Sequence, residues 1–525
     1  MLSKAMKSQA VKRTGESNRA ARVAIQCLTG IMGVAVTIVG GVRGEDLPAR
    51  SNGPQGAMLA ERIAEARREA KLVGMGAIVV VDGEVVATAV DGERKTGSGV
   101  LLELDDQWHL GSITKSITAT MIARLVEQGK MEWTETVGNA FPDAAIHEDW
   151  KPVTLEQLLT HTSGAPANFS FHVMRNHPSL GEECTQERRK AVLDVIASEP
   201  VSPPGETFRY SNVGFTIAGA MAEAVTGECW EDLVKREVFD PLGLTSAGFG
   251  PPKSPAKTLD QPRGHSQFLA WKVAVGDDQD NTPIIGPAGT VHMSLSDLAS
   301  YGLEHLQGDS GKGQLLSVET STRLHTALEN RYAYGWVVNA ATYRHPYEVI
   351  WHNGSNTMWY ALVAFIPEKN LVVAVTVNDG DLAKAEPAAW KVVHAMTERF
   401  HSEGDDALRK AWPSTEIPKK SPFSAVRWKG KEPEVQVGNE WFRLISLDGI
   451  EASEIIEFCH REYDEKWQKR FEEDLVEVLI RMGHLPEDTV QLTVRRIGET
   501  GTRTLENVEM THENRSAIRD AAKAK

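Results

Sequence analysis

Residues 109–131 read HLGSITKSITATMIARLVEQGKM. The helical pattern that opens at Gly111-Ser112 runs to about Gln128, so Ser112 and Lys115, three apart, project from one face of its first turn. That geometry suits an activated nucleophile. The partial positive charge at the helix N-terminus favours a developing alkoxide on Ser112. The same field, with burial, lowers the pKa of Lys115 and lets its amine accept a proton near neutrality. The plainer alternative is a serine N-cap followed by a solvated lysine. The spacing recurs at Ser254 and Lys257, but there in a proline-rich loop that would hold neither side chain.

Two further stretches change the weight of that pair. In PPGETFRYSNVGF (203–215), Tyr210-Ser211-Asn212 stands just before another helix, and no other Tyr-x-Asn occurs in the chain. A phenol near Ser112 and Lys115 shares or relays their proton, and Asn212 donates to a substrate carbonyl. In EVIWHNGSNTMWYALVAFIP (348–367), His352-Asn353-Gly354-Ser355 lies on a strand that leads into more strands. Gly354 lets a substrate backbone approach closely, and the N–H of Ser355 pairs with that of Ser112 as a two-donor oxyanion hole. Alone, Tyr210 reads as a helix-flanking aromatic and His352 as an edge-strand histidine.

Together these residues resemble the serine β-lactamase and penicillin-binding-protein superfamily, in its class C-like branch of D-alanyl-D-alanine carboxypeptidases, D-aminopeptidases and β-lactamase-fold esterases. The resemblance covers about residues 58–400. It rests on GSITK, LLTHTSG, PPGETFRYSNVGF, DPLGL, PAGTVHMSLSDLASY and HNGS…FIPEKNLVVAVTVN, in the family's order. It implies Ser112 as the acylated nucleophile, Lys115 and Tyr210 as the general-base pair, and Asn212 as a substrate contact. It makes His352–Gly354 the third motif, with Ser112 and Ser355 giving the oxyanion hole. Efficient β-lactamases of this class usually carry lysine where this chain has His352. A histidine partly protonated at neutral pH implies weaker, pH-dependent carboxylate recognition, and favours an ester or a D-amino-acid peptide over a β-lactam. A Lys-Thr-Gly triplet at 95–97 comes before the nucleophile and reads as a surface turn.

The fold expected is α/β of the α+β kind. An antiparallel sheet is built from N- and C-terminal strands, with flanking helices and an inserted helical subdomain. MGAIVVVDGEVVATAV (75–90) predicts a hairpin turning at Asp82-Gly83, preceded by a helix over 60–71. Residues 57–404 form the hydrolase domain after a spacer at 45–56. Residues 405–434, rich in Pro, Lys and Ser, read as a linker, and 435–525 as a small α/β accessory domain with a polar tail. Its predicted helices, 453–463 and 467–482, place Phe471, Leu475, Val478 and Leu479 on one face.

Residues 1–44 carry a basic region and then the uncharged stretch 23–42, the grammar of an export signal or an N-terminal anchor. Cleavage after Gly44 removes a net +6 and leaves the rest at −21, from −15 for the whole chain. That acidity excludes a nucleic-acid footprint. The expected partner is a small ester, amide or peptide-like substrate, outside the cytoplasm, with membrane association only through residues 23–42. No cofactor is implied: the histidines lack metal-ligand spacing and no glycine-rich phosphate loop occurs. The alternatives are a class C-like β-lactamase, or a non-catalytic binding protein that retains the fold.

Overall fold

The computed structural model describes residues 49–525 except 255–257, 269–270, 329, 341–346, 401–418, 431, 464–465, 483, 485, 487, 500 and 524–525. The expected signal or anchor, residues 1–44, lies outside the described residues. Strand β1 (Arg50–Asn52) falls inside the expected spacer and pairs antiparallel with the strand that holds Val90, Arg50 opposite Val90. All three of its residues are exposed, so main-chain pairing at an edge left no hydrophobic pattern to read. Helix α1 (Gly56–Ala70) begins four residues before the expected start, and a left-handed Lys71 ends it. Strands β2 (Gly74–Val81) and β3 (Glu84–Gly92) form the hairpin, with Asp82 and Gly83 both at positive φ, as a tight turn of that hand requires.

After β4 (Gln107–His109) comes helix α2 (Thr114–Glu127). Helices α3 (Glu182–Ile196) and α4 (Asn212–Thr226) follow, then short strands β5 (Gly248–Phe249), β6 (His265–Phe268), β7 (Trp271–Ala274) and β8 (Val291–Ser294). The inserted region is therefore less purely helical than its sequence suggests. Helices α5 (Leu295–Gly308) and α6 (Val318–His325) lead back to β9 (Val337–Asn339), β10 (Val349–Ser355), β11 (Tyr360–Ile366) and β12 (Leu371–Val377), and then helix α7 (Leu382–Arg399).

The main sheet runs β1-β3-β2-β12-β11-β10-β9, so strands from both ends of this region meet at β2 and β12. Met75, Ala77 and Val79 with Val373, Val375 and Val377 pack on Leu59 and Ile63 of α1 and Val392 and Met396 of α7. The intervening Ile78, Val80, Val372 and Ala374 join the opposite core with Ile113, Met121 and Leu298. Because β12 is covered on both faces, its sequence is a continuous apolar run rather than an alternating one. On that second face, the turn that opens α2 meets the end of β10.

The C-terminal segment has its own sheet and its own core. Strand β13 (Ala425–Lys429) lies inside the range expected as linker and β14 (Glu432–Val437) begins in it, and Phe423 is fully buried in that core. Backbone bonds between Ser421 and Thr511 fix the start of this unit still earlier. Strands β15 (Glu440–Leu447) and β16 (Ile450–Glu451) precede helices α8 (Ala452–Tyr463), α9 (Trp467–Glu473) and α10 (Leu475–Arg481). The expected single helix 467–482 breaks at Asp474, whose carboxylate takes Lys419, Arg470 and Arg515. Its four apolar residues are nevertheless all buried. Strand β17 (Thr489–Arg496) falls on TVQLTVRRI (489–497), which reads as a strand in the sequence, while β18 (Thr502–Glu509) and helix α11 (His512–Lys523) occupy the expected polar tail. Phe423→Ala should cost about 3–5 kcal/mol in a separate C-terminal unfolding transition. A denaturant curve unchanged by the substitution would return Phe423 to the linker.

Candidate active site

The segment before α2 is a single 3-10 turn, Gly111–Ile113, and Gly111 adopts a left-handed φ of +51°. A Cβ on Gly111 would lie 2.2 Å from the Ser355 nitrogen, and one on Gly354 would lie 2.0 Å from the Leu110 oxygen and 2.4 Å from the Ser112 nitrogen. Both residues must therefore be glycine for the turn and β10 to cross backbone to backbone. That crossing brings the backbone nitrogens of Ser112 and Ser355 close together.

Lys115 is fully buried on α2, with its Nζ 3.0 Å from Ser112 Oγ, 2.8 Å from Asn212 Oδ1 and 2.8 Å from the Ala288 carbonyl. The two carbonyl-type oxygens can only accept, so they take two N–H bonds whatever the state of the nitrogen. When the amine is neutral, its lone pair faces Ser112 and can receive the hydroxyl proton. Burial holds the Lys115 pKa well below the ordinary lysine range, which favours that neutral state. The Ala288 acceptor comes from the segment 286–294, whose Pro287 carbonyl also takes Thr118 of α2.

Asn212 opens α4, behind a Ser211 N-cap whose hydroxyl accepts the Gly214 N–H and donates to the Pro166 carbonyl. Its Nδ2 donates to Asn168 Oδ1 at 2.7 Å, which fixes its oxygen toward Lys115 and leaves one N–H for a substrate carbonyl. Tyr210 is 40% exposed as a residue, but its ring lies 4.7 Å from Lys115 Nζ and its hydroxyl is turned inward. Burial raises the phenol pKa, opposed by a hydrogen bond with Ser112, so the group is a neutral phenol at pH 7. His161, at a φ of +60°, supports it from behind: its ring lies 4.5 Å from that of Tyr210, and its Nδ1 accepts the Ser211 N–H.

His352 departs from expectation. It is buried, with Nδ1 2.5 Å from the Asn353 carbonyl and Nε2 3.1 Å from the Tyr332 hydroxyl. A carbonyl only accepts, so Nδ1 carries the proton and Nε2 takes the Tyr332 O–H. Burial, reinforced by the charge of Lys115, pushes the His352 pKa down to about 3 despite the Asn353 carbonyl. The expectation of a partly protonated His352 at neutral pH is therefore corrected: desolvation outweighs the one favourable hydrogen bond, and the imidazole is neutral.

Ser112, Tyr210, His352, Gly354 and Ser355 line one cavity of about 350 Å³, with Phe208, Tyr332, Tyr360, Leu382 and Glu386 among its other walls. Lys95 is exposed, and its loop is tied elsewhere through the Thr96 N–H to His265 Nε2. Gly97, at a φ of +72°, has open space around it. A larger cavity of about 880 Å³ lies between α6, α7 and α8 and contains no paired nucleophile and base. Among the described residues, no group of three His, Cys, Asp or Glu is placed to hold a metal ion. Sequence reasoning missed Gly111, Tyr332, His161, Glu386 and the Ala288 carbonyl. Only Gly111, beside the nucleophile, carried a signal that could have found it.

A family model described as Beta-lactamase matches residues 59–397. The chain belongs to the β-lactamase family. It is a β-lactamase-related serine hydrolase with the family's mixed helix and antiparallel-sheet fold. "Penicillin-binding protein 4" of Amycolatopsis lactamdurans is 26% identical over 344 residues, 61% of this chain and 84% of that protein. "Esterase EstB" of Burkholderia gladioli is 32% identical over 193 residues, 35% of this chain and 49% of that protein. The structure of the octameric penicillin-binding protein homologue from Pyrococcus abyssi matches at 19% identity with a TM-score of 0.53, over 86% of this chain and 96% of that one. That coverage is more than the family-matched residues alone supply, so the fold likeness extends into the C-terminal segment.

Three outcomes test this geometry. The His352 ring resonances should stay in the neutral form from pH 8 to pH 4 by NMR; titration near 6.5 would refute the buried assignment. His292 is likewise held down to about 4, mainly by burial. Unfolded histidines take protons below about pH 6.5 while these folded ones do not, so stability falls as pH drops from 6.5 toward 4. The loss should reach about 2 kcal/mol per histidine at pH 5, read from urea midpoints. Separately, Gly354→Ala should slow fluorophosphonate labelling of Ser112 roughly 100-fold, because its Cβ would force β10 off the turn. Unchanged labelling would show that the close crossing is dispensable.

Proposed function

We propose that this chain is an exported hydrolase that cleaves an ester or amide bond through an acyl-enzyme on Ser112. The observation that carries the reading is the bonding of Lys115 Nζ, with two fixed acceptors and Ser112 at the remaining position. Ser112 Oγ attacks the substrate carbonyl as its proton passes to the Lys115 amine. The tetrahedral oxyanion rests on the N–H groups of Ser112 and Ser355. Tyr210, a neutral phenol beside both groups, relays the proton to the leaving alcohol or amine. Water then attacks the acyl-enzyme, giving up its proton to the same Lys115–Tyr210 pair, and the acid leaves with Ser112 restored. Asn212 holds the substrate amide where there is one.

An ester or a D-amino-acid-type peptide fits better than a β-lactam, because neutral His352 supplies no cation for a substrate carboxylate. The likeness to Esterase EstB supports the same direction. Residues 57–404 would be the hydrolase domain, and the C-terminal segment an accessory domain. Export rests on the basic and then apolar pattern of residues 1–44.

A panel of p-nitrophenyl esters, D-aminoacyl amides and cephalosporins should show turnover by the wild type and almost none by Ser112→Ala. A fluorophosphonate should add its mass to the peptide that contains Ser112. Lys115→Arg should lose roughly 1,000-fold, since a guanidinium keeps the charge but cannot act as the base. Equal activity in wild type and Ser112→Ala would refute the acyl-enzyme, and cephalosporin turnover far above ester turnover would reverse the substrate ranking.

A further inference from the structure

We infer that Glu386 is a specificity-determining residue that selects substrates carrying a positive charge, in ordinary chemistry a protonated amine, close to the scissile ester or amide. This deepens the reading of Ser112 as an acylated nucleophile and rests on it. Glu386 stands in the second turn of α7 and lines the same 350 Å³ cavity as Ser112. Its Oε1 accepts one hydrogen bond, from Asn353 Nδ2 at 3.2 Å, which aims the carboxylate along the free edge of β10. There β9 pairs only as far as Trp351, so Asn353 to Ser355 have no strand beside them on that side.

The neighbouring carboxylates are treated differently. Asp379 and Asp381 share Lys272, and Asp381 also takes Lys384. Among the described residues, Glu386 has no ion pair at all. Among the described residues, the rest of the cavity wall carries no cation. Phe208, Tyr210, Tyr332 and Tyr360 present aromatic rings and phenols, and His352 is bonded on both nitrogens as a neutral imidazole. Lys115 lies behind Ser112 and is not part of the wall.

A site with one fixed negative charge, no fixed positive charge and aromatic faces opposite attracts a cation and repels a carboxylate. The cavity is at the small end for ligand sites, so the cation and the reacting carbonyl must belong to one compact group, as in an aminoacyl ester or amide. This is the reverse of a site built to hold the carboxylate of a β-lactam.

Three p-nitrophenyl esters of matched length separate the outcomes: 4-(trimethylammonio)butanoate, pentanoate and monoglutarate. Wild-type kcat/KM should fall in that order, with the cation ahead of the anion by about 100-fold. Glu386→Gln should shrink that ratio about tenfold or more, Glu386→Lys should invert it, and Glu386→Asp should keep the order. The ratio is unaffected by a merely structural loss, which would slow all three esters alike. A wild type indifferent to charge, or a Gln variant whose ratio is unchanged, overturns the assignment of Glu386 while leaving the acyl-enzyme intact. Undiminished turnover of all three esters by Ser112→Ala instead overturns the reading on which it rests.

Discussion

The two 2.8 Å hydrogen bonds from Lys115 Nζ, to Asn212 Oδ1 and to the Ala288 carbonyl, are the constraint on which the rest of the site depends. A lysine buried without partners would be expelled or would distort the helix that carries it. Two acceptors remove that cost and also orient the nitrogen. Desolvation then does the chemical work by disfavouring the ammonium, and the remaining position of the nitrogen is the one aimed at Ser112. The surrounding architecture follows from holding those acceptors still. Asn212 is locked by Asn168 and by the start of α4, and Ala288 by the segment that runs along α2.

A second constraint is steric. Strand β10 and the turn at Gly111 touch through backbone, where either added Cβ would meet atoms at 2.0–2.4 Å. A main sheet assembled from strands at both ends of this region makes this contact late in the chain, so the approach of Ser355 to Ser112 depends on β12 pairing with β2. Local motif and long-range topology are therefore coupled: Ser355 reaches Ser112 only when the sheet has closed.

Much of this was readable from residue types. Ser112, Lys115, Tyr210, Asn212, His352, Gly354 and Ser355 all stand in short, distinctive motifs, and the elements predicted for them bring them together at one cavity or directly behind it. The hairpin at Asp82-Gly83 and the buried strands near 360–377 were equally plain, because turn chemistry and apolar runs are local signals. What escaped were properties without a local signal. The Ala288 carbonyl is a backbone atom that any residue could supply. Tyr332 and Glu386 lie outside every motif and reach the site only through the fold. The charge of His352 was misjudged because its type suggests titration near neutrality, whereas its burial and two hydrogen bonds decide otherwise. In the C-terminal segment, the Pro- and Lys-rich composition concealed the strand at Ala425–Lys429, since an edge strand needs few apolar residues.

The polar back of α2 explains why a helix so rich in hydroxyls is stable in the core. Ser116 donates to the Ile113 carbonyl and accepts from Tyr301, while Thr120 contacts both Tyr301 and His305 Nε2. From there His305 Nδ1 meets His325 Nε2 at 2.9 Å, and His325 Nδ1 meets the Asp309 carboxylate at 2.8 Å. A carboxylate only accepts, so His325 Nδ1 donates to Asp309, while Thr120 donates to the Ser116 carbonyl, Tyr301 to Ser116 and Ser116 to the Ile113 carbonyl. Each donor on this face of the helix therefore has a directional partner, and a rotation of α2 would break several of them at once. The front of the same helix carries Lys115, and the turn that opens it carries Ser112. Their 3.0 Å separation is thus held from both sides: by acceptors for the lysine in front, and by the hydrogen-bonded face of α2 behind.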